Sequence, residues 1–476
     1  MDYSRAPRSR GLSRLERLWG SRSVAGLLGV ILLAGGLPDA TAAEPTWRAG
    51  TAKAVITPQQ PLWMAGYGGR TRPAEGKYHD LYIRVLVLED ARGHRGAILS
   101  SDTLGIPQPI YETVVARLHA AHGLDRSQIM LNASHTHCGP VLTHALYDVY
   151  PLDDSQRKMI EDYSTHFIDT IVGAFDQALR SLEPVRVSRG LGVATFAVNR
   201  RTNREADVPA LREQDRLMGP VDHSVPVLAV HRADGSLGAV LFAYACHNTV
   251  MDFYQWFGDY AGCAQFALEA RHPGAAALFV MGCGGDQNPL PRRKVELAEQ
   301  YGAQLADAVD AVLRHSLQPL APRLDTAIEL TPLALGPLPP PERLHELGQQ
   351  ANYAGRWAAR MLKWQASGAA IPREYPYPVQ AWRLGGKQLW ITLGGEVVVD
   401  YSLRFKGEWG WETWVTAYAN DVMAYIPSYR VLLEGGYEGQ SSMQVYGQPA
   451  ERWAADVEER VAAAVARVVA RVPEAP

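Results

Sequence analysis

Two histidines separated by a single residue stand at the end of a short apolar run in this sequence. Residues 132–140 read NASHTHCGP, and they follow the apolar residues 129–131. In an extended segment, side chains at positions i and i+2 point the same way, so His135 and His137 are expected to face one cleft. Imidazole binds zinc and exchanges protons near neutral pH. The pair therefore predicts a metal or acid–base site, against the alternative of a polar turn with two surface histidines.

Other polar side chains follow apolar runs further along the chain. His247 comes after the run 237–244, and Asn288 lies in the glycine-rich stretch 282–291, which follows the run 277–281. Glu396 stands at a predicted strand-to-helix junction, and Tyr425 ends the segment 416–425. In α/β domains, chemistry gathers where strands end and loops begin. These residues are therefore candidates for the same site.

The elements that must position these residues alternate between strands and helices, without an internal repeat. Residues 159–179 carry apolar side chains at helical spacing, which predicts a long amphipathic helix. Strands are predicted at 78–88, 96–102, 129–132 and 277–281, hairpins at 225–244 and 379–393, and a last helix at 450–472. A chain of 476 residues with 47% hydrophobic content can bury a large core. The predicted fold class is α/β, as a single large domain with mixed β-sheets flanked by helices.

The first 43 residues are predicted to be a secretory signal peptide. Arginines at positions 5–17 precede an apolar run at 24–33, which is too short to span a bilayer comfortably. Small residues at 40–43 offer a cleavage site. The mature chain, residues 44–476, is therefore expected to be exported, either to the periplasm or as a secreted protein. An uncleaved N-terminal anchor is the alternative, and no transmembrane helix is expected in the mature chain.

The charge balance and the cysteines narrow the function further. Lys+Arg 47 against Asp+Glu 50 gives a net charge of −3, which argues against nucleic acid or a polybasic membrane surface as a partner. The four cysteines, at positions 138, 246, 263 and 283, lack Cys-x-x-Cys spacing. They are therefore expected to be small buried residues or to form one disulfide, rather than to bind metal.

The motifs between about residues 50 and 447 resemble the neutral/alkaline non-lysosomal ceramidase family, in its N-terminal catalytic domain. The most specific matches are HTHCGP at 135–140, which is similar to the family's His-Thr-His-Ser-Gly-Pro, and YEGQSSMQVYG at 437–447, which is similar to its late Tyr-Glu motif. Weaker matches are ITP at 56–58, MAGY at 64–67, VNR at 198–200 and GGE at 394–396. Residues 44–476 are therefore expected to form a ceramidase-like catalytic domain.

The resemblance implies a zinc site. His135 corresponds to the family's first histidine ligand, His247 to the second, Glu396 to the carboxylate ligand and Tyr425 to the tyrosine ligand. Such a shell leaves room for a water molecule. His137 would lie beside the metal as the proton-transfer candidate. Arg200, which matches an essential arginine of the family, would stabilise charge on a carbonyl oxygen.

This sequence departs from the family pattern at two places. The family's nucleophile motif reads Gly-Asp-Val-Ser-Pro-Asn, whereas residues 285–289 read GDQNP, so that Asn288 fills the serine position. An amide cannot act as the nucleophile, but Asn288 can orient water or donate to an oxyanion. The sequence also ends after one helix, so we expect no counterpart of the family's additional C-terminal β-domain.

We therefore predict a zinc-dependent hydrolase of amide or ester bonds, a ceramidase-like N-acyl amidohydrolase that acts on linear amides through zinc-activated water. Its partner would be a small-molecule or amphipathic, lipid-like substrate, which places it in lipid and sphingolipid metabolism. One alternative is a noncatalytic metal- or ligand-binding protein that retained the scaffold. Another is a metal-dependent esterase or lactonase, which only a substrate screen would separate.

Overall fold

The computed structural model describes residues 46–475, and the predicted signal peptide, 1–43, lies outside the described residues. The strands are β1 (Trp47–Val55), β2 (Gly76–Lys77), β3 (Tyr82–Glu89), β4 (Arg95–Ser101), β5 (Ile129–Ala133), β6 (Glu183–Val193), β7 (Ala197–Asn199), β8 (Ser224–Arg232), β9 (Leu237–Tyr244), β10 (Gln255–Trp256), β11 (Ala276–Met281), β12 (Gln287–Pro289), β13 (Gln318–Pro319), β14 (Leu324–Ala334), β15 (Glu374–Leu384), β16 (Gln388–Leu393), β17 (Glu396–Val397), β18 (Trp414–Thr416) and β19 (Tyr425–Ile426). The helices are α1 (Gln108–His122), α2 (Asp154–Arg180), α3 (Val208–Glu213), α4 (Asp259–Arg271), α5 (Val295–His315), α6 (Pro341–Gly348), α7 (Tyr353–Ala366), α8 (Val399–Trp409), α9 (Tyr429–Glu434), α10 (Ser442–Val445) and α11 (Val457–Ala470).

Most of the long strands belong to one mixed sheet of nine strands. Its order is β11-β9-β8-β6-β1-β3-β4-β5, and β13 pairs with β6. The pairs β4–β5 and β9–β11 are parallel, and the remaining pairs are antiparallel. A second sheet has the order β14-β15-β16-β18. The predicted α/β class with mixed sheets is confirmed, and so are both predicted hairpins, β8–β9 and β15–β16.

Apolar side chains on both faces of a central strand explain how the sheets pack. In β3, Val85 and Val87 belong to one core cluster, whereas Leu86 and Leu88 belong to another, as the two-residue period of a strand requires. The second cluster also contains Trp382 of β15 and the tryptophans of β16 and β18. The two sheets therefore pack against each other. Helices α2, α4 and α5 contact the large sheet, and α11 contacts β14 and β15.

The predicted amphipathic helix is confirmed as α2. Its buried positions include Ile160, Phe167, Ile171 and Phe175, which fall on one face of a helix. The Asp153 carboxylate accepts a hydrogen bond from the backbone N–H of Gln156 at 2.8 Å and fixes the start of the helix.

The last helix begins later than predicted, at Val457 rather than at residue 450. The segment before it makes tertiary contacts instead. Trp453 forms a β-bridge with Leu335, and its indole N–H donates to the carbonyl oxygen of Tyr425 at 2.8 Å. Residues that hold the Tyr425 segment in this way are not free to continue a helix.

One buried asparagine joins the ends of three strands. The side-chain oxygen of Asn132, in β5, accepts from the backbone N–H of Met281 at the end of β11, at 2.8 Å. Its amide group donates to the carbonyl oxygen of Ala417, just after β18, at 2.7 Å. The loops that leave β5, β11 and β18 therefore begin close together, and these loops carry most of the predicted site residues.

The four cysteines are free thiols. Cys138, Cys246 and Cys283 are buried and Cys263 is partly buried, which confirms small buried residues rather than a disulfide. Among residues 46–475, no helix combines the length and the apolar character that a bilayer crossing would need.

Candidate active site

All seven predicted site residues line one cavity, which has a volume of about 350 Å³. We call it the central cavity. The seven are His135, His137, Arg200, His247, Asn288, Glu396 and Tyr425.

A buried carboxylate lies at the centre of the predicted ligand set. Oε2 of Glu396 is 3.1 Å from Nε2 of His135 and 3.1 Å from Nε2 of His247. The phenol oxygen of Tyr425 is also 3.1 Å from Nε2 of His247. The β17–β19 pairing sets Glu396 directly beside Tyr425, which explains how two residues from different loops reach one point.

Backbone carbonyl groups orient both histidine rings. Nδ1 of His135 lies 2.6 Å from the carbonyl oxygen of Leu104, and Nδ1 of His247 lies 2.6 Å from that of Gly284. A proton on Nδ1 satisfies each carbonyl and leaves Nε2 as the lone-pair nitrogen that faces the cavity. In metal sites, a histidine that binds the metal through one ring nitrogen commonly donates a hydrogen bond from the other, and this bond fixes the orientation of the ring.

His137 joins the same cluster. Its Nε2 is 3.2 Å from Nε2 of His135, and ligand atoms of His135, His137 and His247 all lie within 4.8 Å of one another. Nδ1 of His137 is buried without a partner among the described residues. Gly66 packs against the ring with a φ of +86°, and a Cβ there would lie 2.3 Å from Nδ1. Only glycine fits that position without displacing the imidazole.

The backbone brings the two histidines of the His-x-His motif together differently from the prediction. Strand β5 ends at Ala133, and His135 has a φ of 60°, in the left-handed region that non-glycine residues seldom adopt. His137 lies in a turn. Both rings enter one cavity, but a strained bend and a turn direct them there, not an extended strand.

Arg200 is held at the cavity wall by three different side chains. Its guanidinium donates to Oε1 of Glu438 at 2.8 Å, to Oδ1 of Asn288 at 3.2 Å and to the phenol oxygen of Tyr425 at 3.1 Å. Burial lowers the pKa of Arg200, but Tyr425 and Glu438 together raise it well above its ordinary value. The cavity therefore keeps one fixed positive charge beside the predicted metal ligands.

Burial and neighbouring charges set the pKa values of the ligand cluster. Burial would raise the pKa of Glu396, but His135 and His247 outweigh it and hold that pKa well below its usual value. Burial, together with nearby Arg200, lowers the pKa of His247 to about 4. Burial and the two neighbouring imidazoles also hold the pKa of His137 well below its usual value. An anionic carboxylate and neutral imidazoles are the protonation states that bind a cation.

The glycine-rich loop packs closely against the backbone at Glu396. A Cβ on Gly285 would lie 2.8 Å from the carbonyl oxygen of Glu396, so this glycine lets the loop approach the Glu396 backbone. The carboxylate of Asp286 accepts from the backbone N–H of Val399 and from the amide of Asn199, both at 2.9 Å. Of the polar residues in this loop, Asn288 reaches the central cavity and Asp286 serves the packing beneath it.

Sequence reasoning missed three side chains that hold the site together. The Tyr446 hydroxyl donates to Oε1 of Glu396, and the Tyr418 hydroxyl donates to Oε2 at 3.4 Å. Glu438 anchors Arg200. Glu438 and Tyr446 both lie in the 437–447 motif. The motif marked this segment as part of the family pattern, but it did not indicate which residues the two side chains contact. Tyr418 follows β18 and carries no separate signal.

The residues present fit a zinc ion. Two imidazoles with Nε2 aimed inward, one deprotonated carboxylate and one phenol form a nitrogen and oxygen donor set of the kind that zinc takes. His137 adds a third imidazole nitrogen within reach. The burial of His135, His247 and Glu396, whose side chains are no more than 3% exposed, fits a resident ion better than a titrating surface cluster.

Comparison with known proteins identifies relatives of this chain. The family model for the N-terminal part of neutral/alkaline non-lysosomal ceramidases matches residues 47–285. Neutral ceramidase from Pseudomonas aeruginosa is 28% identical over 277 residues, which are 55% of this chain and 40% of that protein. Neutral ceramidase B from Dictyostelium discoideum is 25% identical over 244 residues, which are 48% of this chain and 33% of that protein. The chain thus spans less than half the length of these curated relatives.

Two solved structures share the fold. A ceramidase complexed with C2 superposes with a TM-score of 0.68 at 20% identity, over 91% of this chain and 77% of that one. The neutral ceramidase crystal structure from Pseudomonas aeruginosa gives a TM-score of 0.66 at 21% identity, over 90% of this chain and 75% of that one. The fold is that of an α/β protein of the ceramidase class. The chain belongs to the neutral/alkaline non-lysosomal ceramidase family.

Proposed function

We propose that this protein is a zinc-dependent hydrolase that cleaves linear amides of small or amphipathic, lipid-like substrates. The observation that carries the proposal is the buried cluster in which Nε2 atoms of His135 and His247 share one oxygen of Glu396 at 3.1 Å. Arg200, fixed and charged, lines the same cavity. A cation site beside a fixed guanidinium suits a reaction in which negative charge develops on a carbonyl oxygen.

His135, His247, Glu396 and Tyr425 would hold the zinc ion. When bound, zinc lowers the pKa of water toward ~7 and polarises a carbonyl group. Arg200 would donate to the developing oxyanion, because its guanidinium already lies among cavity-lining groups and remains charged. His137 would transfer the proton that the leaving amine requires, since its ring lines the central cavity beside the proposed ligands.

Asn288 determines which kind of nucleophile the proposal requires. It lines the central cavity at the position where the family motif has serine, and an amide does not attack carbonyl groups. Its oxygen accepts from Arg200, which leaves its NH₂ group available to hold water or the oxyanion. We therefore propose that water, not a side chain, attacks the substrate and that no covalent acyl-enzyme forms.

The amide substrate class rests on the relatives and on the cavity wall. The curated relatives are named neutral ceramidases. Beside the polar cluster, the central cavity is lined by Leu104, Leu146, Val149 and Val445, which suit an acyl chain. We therefore propose that this chain hydrolyses N-acyl amides in lipid metabolism. We also propose that it acts after export.

A metal assay combined with a substrate panel tests the proposal. Purified protein should contain about one zinc per chain and should hydrolyse N-acyl amides, and chelation should abolish both properties. Turnover of esters or lactones with inert amides would instead assign the chain to the esterase class. A full zinc content without turnover on any amide or ester would identify a noncatalytic binding protein.

A further inference from the structure

A second cavity, rich in cationic side chains, adjoins the central cavity. It has a volume of about 580 Å³, and we call it the basic cavity. The two cavities share three wall residues, namely Leu146, Val445 and Tyr446. Because the Tyr446 hydroxyl donates to Glu396, one residue of the shared wall lines the basic cavity and also contacts a proposed metal ligand.

The charges in the basic cavity are poorly balanced. Four cationic side chains line it with one carboxylate, Asp148; the cations are Arg157, Arg356, Arg360 and Lys363. The Asp148 carboxylate pairs with Arg360 at 2.7 Å. Arg157, Arg356 and Lys363 have no carboxylate partner among the described residues. The cavity therefore presents positive charge that no carboxylate within residues 46–475 neutralises.

The cations are fixed to different degrees. Arg356 donates to the carbonyl oxygens of Asp148 and Val149, at 2.8 and 2.5 Å, so its guanidinium is held in place. Arg157 stacks near the ring of Tyr147, with 5.0 Å between guanidinium carbon and ring centroid. Lys363 lies exposed, two turns along α7 from Arg356. A rigid guanidinium beside adaptable cations suits an oxyanion group that enters from solvent.

The other arginine-lined cavity beside the site lacks this surplus of unpaired charge. It shares Arg200 and Arg292 with the central cavity. Glu438 binds Arg200, and Glu205 binds Arg292 at 2.7 Å. These two arginines therefore pair with carboxylates of neighbouring loops and are not available to an external anion. The basic cavity is therefore the place where an external anion finds cations that are still available.

We infer that the substrate of this protein carries an anionic group, a carboxylate, phosphate or sulfate, which the basic cavity binds while the scissile amide reaches Glu396 and the histidines. The inference rests on the proposed hydrolase function and deepens it. It separates this chain's substrate from a neutral N-acyl amide. Leu146 and Val445, shared by both cavities, would pack against apolar parts of the substrate beside its anionic group.

A matched pair of amides tests this inference. N-lauroylglycine carries a carboxylate and N-lauroylethanolamine does not, but both have the same acyl chain and scissile amide. We expect kcat/KM to be roughly tenfold higher for N-lauroylglycine, and the difference to shrink at high salt. In Arg157→Gln and Lys363→Gln, KM for N-lauroylglycine should rise roughly three- to tenfold with kcat retained, while the neutral amide should be unaffected.

A neighbouring residue supplies the control. Lys158→Gln removes an equal charge from the same turn of α2, but Lys158 pairs with Asp162 and does not line the basic cavity. Its kinetics should match wild type for both amides. Equal responses of the two amides to Arg157→Gln and Lys363→Gln would overturn the inference.

Direct binding separates failure of this inference from failure of the proposed function. Inorganic phosphate should bind wild-type protein in calorimetry and should bind at least tenfold more weakly to the Arg157→Gln/Lys363→Gln double variant. It should also compete with N-lauroylglycine. Phosphate binding without turnover of either amide would retain the anion site and refute the hydrolase. Absence of phosphate binding, or binding without competition, would overturn the substrate inference itself.

Discussion

The side-chain oxygen of Asn288 accepts a hydrogen bond from the guanidinium of Arg200 at 3.2 Å. The amide oxygen is thereby committed to the protein, and the NH₂ group is the part of Asn288 that remains for a ligand. The residue that replaces the family's serine is thus held as a donor, oriented by the same arginine that we expect to face the oxyanion. This pairing makes the roles of the two residues separable by experiment.

Asn288→Ala should lower turnover without abolishing it, by roughly 10- to 100-fold, because it removes one donor and leaves the proposed metal ligands in place. The measurement is steady-state hydrolysis of an N-acyl amide, with zinc content determined on the same sample. Pre-steady-state traces of the wild-type protein should show no burst, since no side chain becomes acylated. An acyl adduct on any side chain, found by mass spectrometry of quenched enzyme, would contradict the water mechanism.

Arg200→Ala should lower turnover by roughly 100-fold or more with zinc content unchanged, because it removes the fixed charge opposite the developing oxyanion. Arg201→Ala is the matched control. Arg201 also pairs with Glu438, and with Glu434, but it does not line the central cavity. Similar losses of turnover in the two variants would show that Arg200 acts by holding Glu438 in place and not by contacting the substrate.

His135→Ala and His247→Ala should each lose zinc and all activity, because each removes a nitrogen that faces Glu396. His137→Gln should retain zinc and lose most turnover if His137 transfers protons beside the metal. Metal content by atomic absorption separates the roles, and His231→Ala, half-buried on β8 away from the cavity, is the control. Zinc loss in His137→Gln would make His137 a ligand, and full zinc in His135→Ala would refute the predicted shell.

Stability should depend on pH through Asp421. Burial raises the pKa of this carboxyl to about 7, against 3.8 for an ordinary aspartate. Between about pH 4 and 7 the folded protein holds a proton that the unfolded chain releases, so the free energy of unfolding falls as pH rises. The loss amounts to at most about 4 kcal/mol. Above about pH 7 it stays constant.

Asp421→Asn keeps an uncharged partner for the Tyr375 hydroxyl, which donates to Asp421 at 2.5 Å. The Tm of the variant relative to wild type should therefore rise steadily from about pH 4 to about pH 7 and then level off. Taking the difference between the two proteins cancels the titration of all other groups. A Tm difference that is the same at every pH would show that Asp421 ionises in the folded state as it does in the unfolded chain.

Export with cleavage near Ala42 or Ala43 remains a prediction from the sequence. N-terminal sequencing of the exported protein should begin near Glu44. A mature protein that still starts at Met1 would contradict it and would favour the uncleaved anchor.

The sequence predicted β3, β4, β5, β11 and both hairpins, because their apolar runs are long and the hairpin turns carry glycine or Asp-Gly. Residues 379–393 could be predicted as a hairpin, since Gly385 and Gly386 separate two apolar segments, and both adopt positive φ. Residues 450–456 were wrongly predicted as helix. Local propensity there yields to the long-range hydrogen bond from Trp453 to Tyr425, which no local pattern encodes.

The convergence of the candidate residues could be predicted from the sequence, but their arrangement could not. Family motifs supplied His135, His247, Glu396 and Tyr425, and the structure brings all four to one cavity. The left-handed backbone of His135 and the hydroxyl of Tyr446 on Glu396 arise from tertiary contacts. The basic cavity could not be predicted from the sequence either, because its cations come from α2 and α7, which are far apart in the chain.

The distance along the chain between the predicted ligands has a consequence for biosynthesis. His247 and Tyr425 are 178 residues apart, and Glu396 and Tyr425 are synthesised only after both His135 and His247. A nascent chain therefore contains histidines long before it contains their oxygen partners. Assembly of the donor set must wait for late, non-local contacts, which form slowly. Binding of the proposed ion would then require that the segments carrying Glu396 and Tyr425 have already packed against the histidines.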